Sequence, residues 1–349
     1  NPKIELVQIQ HHYAHVLSVM AEHKLNKDVL AFIFDGTGYG DDGNIWGGEV
    51  FIASKSEYKR VNHFEYFKLL GGEMAVKEPK RVAMSLLFDN FTLEEILNMQ
   101  IACVKAFKES EIKMLHTMWQ KGLNSPLTSS IGRLFDAVAS FADILHIQTY
   151  EGETGLQIER NYDKSISQSY SYEIVDDKID IKAMIKEMIL ETNQKEICSK
   201  FINTIVKIIL DISKIYEDLP VVLGGGVFQN RTLLELLINK FKEQNREFYY
   251  NKQIALNDEG ISVGQAYYLM NAPLLSEYTI RLANGKTLHV CAKKLSEKNG
   301  IIQRVIFNGK ELQRAWIHHD ELLQGGELVI EMGNKLSDWG TEELPPLKM

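Results

Sequence analysis

The chain has 349 residues, 45% of them hydrophobic and 25% charged, the composition of a globular protein large enough for more than one core. A formal charge of −8 at pH 7 excludes a broad basic footprint for nucleic acid. Cys103, Cys198 and Cys291 are too scattered for a zinc knuckle or a disulfide framework, and no apolar run is long enough to span a bilayer, so a cytoplasmic protein with neither nucleic acid nor membrane as partner is expected.

In chain order, ELVQI predicts a brief strand and QHHYAHVLSVMAEH a helix. His11 and His15 are four apart, which puts both imidazoles on one helix face, where a pair can chelate a metal; His12 points elsewhere. A second apolar run, VLAFIF, ends in Asp35 and feeds FDGTGYGDDGNIWGGE. So many glycines predict a strand followed by an active-site loop rather than a plain hairpin, because a hairpin turn uses only one or two. Without Cβ atoms, backbone N–H groups can converge on an anion, while Asp35, Asp41, Asp42 and Glu49 can hold a cation or orient a polar substrate. GGEVFIA and YKRVNHFEYF read as further strands of the same sheet.

The turn at Gly71 and Gly72 leads to a helix marked by Pro79, with Lys77, Lys80 and Arg81 near its start, where they either face phosphate or flank the helix in solvent. TLEE from Thr92 is a capping box, and helical pattern continues to Gly122. SSIGRLFDAVASF carries an apolar stripe of helical period, with Asp136 beside it, positioned to meet a cation or a hydroxyl. Two helices are expected between 179 and 219. PVVLGGGVFQNRTLLE is a strand delivering glycines to a helix start near Asn230, a device for gripping a nucleotide; it has neither the lysine of a P-loop nor the order of a dinucleotide fingerprint. Asn257 or Asp258 caps a last helix. From about 278 to 339, short strands joined by NG and GG turns predict an all-β segment.

Taken together, IQHHYAHVLSVMAEH, FDGTGYGDDGNIWGGE, LLGGEMAVKEPKRVAM, SSIGRLFDAVASF, TYEG, LGGGVFQNRTLLE and NDEGISVGQA, over residues about 4 to 271, resemble in kind and order the Kae1/TsaD-like domain of the HypF family, the carbamoyltransferases of nickel–iron hydrogenase maturation. The resemblance implies an α/β fold of the actin-like, sugar-kinase and Hsp70 ATPase superfamily, two-lobed with a truncated first lobe. It assigns about 1–128 to the first lobe, 129–272 to the second, and 273–349 to a short all-β segment. His11, His15 and Asp258 match the family's ligands for a divalent metal, with magnesium, zinc and iron all open. Asp35, Gly36, Gly38, Gly40, Asp42, Gly47 and Gly48 match the signature loop beside phosphate and carbamoyl, and Arg81 belongs with them as a catalytic candidate. Gly224, Gly225, Gly226 and Asn230 match the segment that holds ATP or carbamoyl-adenylate, and Asp136 matches the carboxylate near the nucleotide sugar.

The activity so implied is transfer of a carbamoyl group from carbamoyl-adenylate to the C-terminal cysteine of HypE, by a module separated from the family's acylphosphatase, zinc-finger and YrdC-like domains. An ATPase or kinase of the same fold and an inactive nucleotide-binding module are the alternatives. The wording NGKELQRAWIHHDELLQGGELVIEMG resembles the C-terminal β-domain of family 92 α-mannosidases, which places His318 and His319 in a structural turn and implies no glycosidase activity.

Overall fold

The computed structural model describes residues 7–271, 277–282, 284–296, 299–317, 319–335, 337 and 339–340. The chain divides into two compact units, residues 9–265 and residues 1–8 with 266–349. Among the described residues no helix is long and apolar enough to cross a membrane.

The larger unit is built on strand β1, Val29–Tyr39, whose first six residues are all buried. A continuous apolar run is what a strand needs when both sheet faces are covered. β1 pairs antiparallel with β2 (Ile45–Ala53), which pairs with β3 (Tyr58–Phe64). The short strands β4 (Phe67–Lys68), β5 (Leu127–Thr128), β6 (Glu173–Val175) and β7 (Lys178–Asp180) extend that side. On the other side β1 pairs in parallel with β8 (Val221–Gly224), and β8 with β9 (Phe248–Tyr250). The path is β6-β7-β3-β2-β1-β8-β9, with β5 bridging β2 and β4. Residues on both sides of 128, which the resemblance assigns to two lobes, share this one sheet.

Side chains alternate along β1, and the two faces serve different ends. Leu30, Phe32 and Phe34 join the large core with Leu87, Leu134, Phe201 and Phe228 from the helices Pro79–Asn90, Ile131–Phe141 and Gln194–Ile215 and from the turn after β8. Phe34 stacks on Phe228 at 5.4 Å between ring centroids. Ile33 turns the other way, towards Gly224 and the His15 backbone, so the helix His11–His23 covers that face.

Four expectations need correction. Val7–Gln10 form no strand, and Asn1–Leu6 lie outside the described residues. The glycine stretch is a hairpin: β1 runs on through Asp35 to Tyr39 with a bulge between Phe34 and Gly38, the turn is closed by Gly43 N–H donating to Gly40 O, and β2 returns from Ile45. Gly38, Gly40, Gly47 and Gly48 are spent on close approach by neighbours and Gly43, at φ 80°, on the turn; a Cβ on Gly38 would stand 2.3 Å from the His12 ring. Helical pattern between 100 and 122 resolves into Ala102–Lys105 and Glu109–Lys121, and the stretch at 179 begins as β7 before the helices Lys182–Met188 and Gln194–Ile215. The capping box at Thr92 is present, with both reciprocal bonds to Glu95.

The second unit contains β10 (Glu277–Arg281), β11 (Thr287–Lys293), β12 (Ile301–Phe307), β13 (Lys310–Leu312) and β14 (Gly326–Gly333), in the order β10-β11-β14-β12-β13. Asn308 and Gly309, at φ 48° and 76°, form the NG turn between β12 and β13, as a tight hairpin requires. Leu288, Val290 and Phe307 are buried at its centre. His318 lies outside the described residues.

Candidate metal centre and cavity

Four side chains from three separate elements meet at the bulge of β1. The helix His11–His23 is started by Gln10, whose side chain accepts from Tyr13 N–H at 2.8 Å. One turn apart on it, His11 Nε2 lies 3.1 Å from Asp35 Oδ2 and His15 Nε2 lies 3.4 Å from the same oxygen. Both imidazole nitrogens are 3.5 Å from Oδ1 of Asp258, which stands just after the cap residue Asn257. The four donor atoms all fall within 4.8 Å of one another.

The electrostatics are those of a cation site. Burial would raise the Asp35 pKa, but His11 and His15 outweigh it and hold the carboxyl well below the usual carboxylate range. Burial lowers that of His15, and Asp258 with Asp35 overcomes it and raises the value. His15 Nε2 is buried and has no well-aligned hydrogen bond despite its two carboxylate neighbours. A buried nitrogen left unmatched between two carboxylates is the place a divalent ion completes, and two imidazoles with two carboxylates suit zinc or iron better than magnesium. The donor set therefore fits the metal that the resemblance implies.

Beside the cluster opens a cavity of about 560 Å³. Asp35 and Asp258 belong to both. Gly36, Asp136, Gly226 and Asn230, singled out in the sequence, also line it, with Tyr150 and Glu151 of the TYEG motif, as do Thr37, Arg133, Thr154 and Glu159, which were not singled out. Asp136 is buried on the helix Ile131–Phe141; Thr154 Oγ1 donates to its Oδ1 at 2.7 Å, and burial pushes its carboxyl up to about 6 against the pull of Arg133. Ser130, the cap of that helix, places its hydroxyl 2.8 Å from Asp35 O and 2.7 Å from Gly36 O and so ties the helix to the bulge of β1. Asn230 accepts from Leu233 N–H as a helix cap and donates to Gly155 O.

Other sequence candidates sit elsewhere. Gly224 and Gly225 lie behind the cavity wall: Gly225 has φ 96°, and a Cβ there would stand 2.4 Å from Phe34 O, so this glycine permits β8 and β1 to touch. Gly226 N–H donates to Asp35 Oδ1 at 3.2 Å and Gly36 N–H to the same oxygen at 2.8 Å, so these amides orient the carboxylate. Asp42 is bound by Tyr66, Arg60 and Trp46 at the hairpin tip, Asp41 by Tyr58, and Gly40 packs on Trp46. Gly47 and Gly48 donate to Glu49 at 2.6 and 2.7 Å and abut Ser130 and Ser129. Arg81 pairs with Glu78 and does not line the cavity.

A mixed sheet that carries a carboxylate from its central strand to a histidine pair, at the edge of a cavity, is the arrangement of a Kae1-like domain. The match agrees: the family model described as carbamoyltransferase, Kae1-like domain, second subdomain, covers residues 31–265, and the chain belongs to that family. It is 34% identical over 286 residues to the carbamoyltransferase HypF of Synechocystis sp., covering 76% of this chain and 37% of that relative. A crystal structure of full-length HypF in the phosphate- and nucleotide-bound form superposes with a TM-score of 0.70 at 33% identity, over 76% of this chain and 43% of that one. The chain thus spans well under half the length of these relatives. Residues 260–334 match the family 92 glycosyl hydrolase catalytic domain, and a stretch of 88 residues is 38% identical to an uncharacterized secreted glycosidase of Arthroderma benhamiae, of which it covers 11%. The chain is a HypF-like domain fused to a family 92-like C-terminal element.

Proposed function

We propose that the larger unit binds carbamoyl-adenylate in the cavity and passes its carbamoyl group to the C-terminal cysteine of HypE. The observation that carries this reading is the sharing of Asp35 and Asp258 between the metal-ligand cluster and the cavity lining, because it puts a cation beside whatever phosphate or acyl group the cavity holds. Family membership supports the reaction class. The thiolate sulfur attacks the carbamoyl carbon; the C–S bond forms, the C–O bond to the adenylate breaks, and AMP leaves with the electron pair. The nucleophile comes from the partner, which agrees with the larger unit's own thiols: Cys103 and Cys198 are buried, and burial pushes both up to about 12.

His11, His15, Asp35 and Asp258 would hold the metal, which when bound supplies positive charge against a developing carbonyl oxyanion. Gly36 and Gly226 amides keep Asp35 pointed at the histidines. Asp136, fixed on one oxygen by Thr154, has its other oxygen 2.7 Å from Arg133 Nη1 but with no hydrogen bond, and is suited to accept a ribose hydroxyl there. The test is incubation of this chain with carbamoyl-adenylate and HypE, followed by the mass of the HypE tail. A gain of one carbamoyl group is expected, and an unmodified tail with intact substrate would refute the reading.

A further inference from the structure

The cavity wall holds a buried cation, paired with Asp136, whose Nε and Nη1 make no hydrogen bond. Arg133 is on the first turn of the helix Ile131–Phe141, and its side chain is 5% exposed. Its Nη1 is 2.7 Å from Asp136 Oδ2, yet the N–H groups are not aimed at that oxygen: Nε and Nη1 donate no hydrogen bond, and Asp136 Oδ2 accepts none. Nε and Nη1 carry three of the five donors of the planar group, and buried N–H groups without a hydrogen bond cost folding free energy unless something else receives them.

The surroundings indicate what that is. Among the described residues lining the cavity Arg133 is the one cation, set against Asp35, Asp136, Glu151, Glu159 and Asp258. Nη2 stands 3.3 Å from the point where a Cβ on Gly36 would be, so the missing side chain at Gly36 leaves the guanidinium open next to the Asp35 end of the cavity. An anionic ligand entering a cavity lined by carboxylates needs positive charge at both sides of its phosphate. A cation held by His11, His15, Asp35 and Asp258 would provide one side, and the guanidinium fork the other, with a geometry that matches two phosphoryl oxygens.

We propose that Arg133 is a ligand-contacting residue that binds the phosphoryl oxygens of the nucleotide at the Asp35 end of the cavity. This rests on the nucleotide-binding reading above and adds a residue to it. On binding, the guanidinium donates to phosphate and Asp136 Oδ2 becomes available to a ligand hydroxyl.

The test is calorimetric titration of the full chain with ATP, adenosine and inorganic phosphate, at one fixed divalent metal concentration, for wild type, Arg133→Gln, Arg133→Lys and Arg133→Gln/Asp136→Asn. Arg133→Gln is expected to weaken ATP about 10- to 100-fold, the size of one or two charge-assisted hydrogen bonds, and to change adenosine less than about 2-fold. Arg133→Lys should fall between, since it keeps the charge and loses the fork. The double variant removes the unpaired Asp136 charge and restores a neutral wall; ATP affinity that returns with it would mean that Arg133 serves only Asp136 and would overturn the proposal. So would equal losses for ATP and adenosine. Phosphate should compete with ATP in the wild type, and a variant that loses phosphate but keeps ATP would overturn the nucleotide assignment. Wild-type chain that binds no ATP overturns this proposal and the nucleotide reading together, whereas wild-type binding with an unchanged Arg133→Gln overturns this proposal alone.

Discussion

Asp35→Asn is the most informative single change in this molecule, because one carboxylate serves the metal cluster, the cavity and the two glycine amides. Oδ1 accepts from Gly36 and Gly226 N–H, and an amide oxygen can keep both bonds, so the backbone of the β1 bulge should survive. Oδ2 lies 3.1 and 3.4 Å from His11 and His15, and there the substitution replaces a charged donor with an amide nitrogen that cannot ligate a cation. A four-ligand protein site is worth about 10–16 kcal/mol, so one ligand is worth about 2.5–4 kcal/mol and its loss about 10²- to 10³-fold in metal affinity. Competition against a chelator measures this directly. A second readout is the His15 titration in metal-free protein, followed by NMR. Burial lowers this pKa and the Asp258 and Asp35 carboxylates raise it above its ordinary value. The sign follows: a histidine with a raised folded pKa adds stability that is complete below the unfolded value near 6.5 and disappears as pH rises through the folded value. Asp35→Asn should shift the His15 titration to lower pH and narrow that window. Metal affinity unchanged within about 3-fold, or a His15 titration that does not move, would refute the reasoning.

The double variant His11→Ala/His15→Ala should bind no metal at the cluster, read as stoichiometry by elemental analysis after dialysis. Glu49, fully buried, has its pKa raised by burial to about 7, against hydrogen bonds from Ser129, Gly47 and Gly48. It therefore holds its proton more tightly folded than unfolded, and its contribution to stability is greatest below about 4.5 and falls by about 3 kcal/mol as pH rises to 7; urea unfolding of Glu49→Gln across pH 5 to 8 should lack this slope. Gly225→Ala combines φ 96° with a Cβ 2.4 Å from Phe34 O and should cost about 3 kcal/mol by the same assay, with metal affinity retained if the protein remains folded.

What could be read from sequence follows from how local each feature is. The His11–His15 pair is legible because helix geometry alone puts residues four apart on one face. Asp35 as their companion is not, since the contact needs the helix to pack across β1, and the sequence shows only an acid at a strand end. The glycine stretch is legible only in part for the same reason: Asp35, Gly36 and Thr37 do line the cavity, but the backbone is a hairpin and not a loop. A glycine that frees the backbone and one that admits a neighbour look alike in sequence; only the pairing of β1 with β2 and the approach of His12, Trp46 and Ser130 show that most of these are of the second kind. Asp42 and Arg81 followed from motif position, yet their partners are Tyr66 with Arg60 and Glu78, found by folding rather than by spacing.

Arg133 is the reverse case. In GRLFD it reads as an ordinary polar residue in the first turn of an amphipathic helix, and nothing within the helix separates it from a solvated flank. Burial of both it and Asp136 is decided by where Ser130 anchors the helix against Asp35 O and Gly36 O, through one serine hydroxyl and a strand bulge almost a hundred residues earlier. The same anchor brings Arg133 to Gly36 and the metal-ligand carboxylate to the cavity. A change at Ser130 should therefore disturb two sites at once: Ser130→Ala removes the hydroxyl that fixes the bulge, and both metal affinity and ATP affinity should fall, each by about 3- to 10-fold, the worth of one neutral hydrogen bond. Metal binding measured without nucleotide, and adenosine binding measured without phosphate, separate this coupling from a loss at either site alone. Ser130→Ala that weakens ATP while metal affinity stays at the wild-type value would show that the bulge holds Asp35 without its serine, and that helix and cluster are positioned independently.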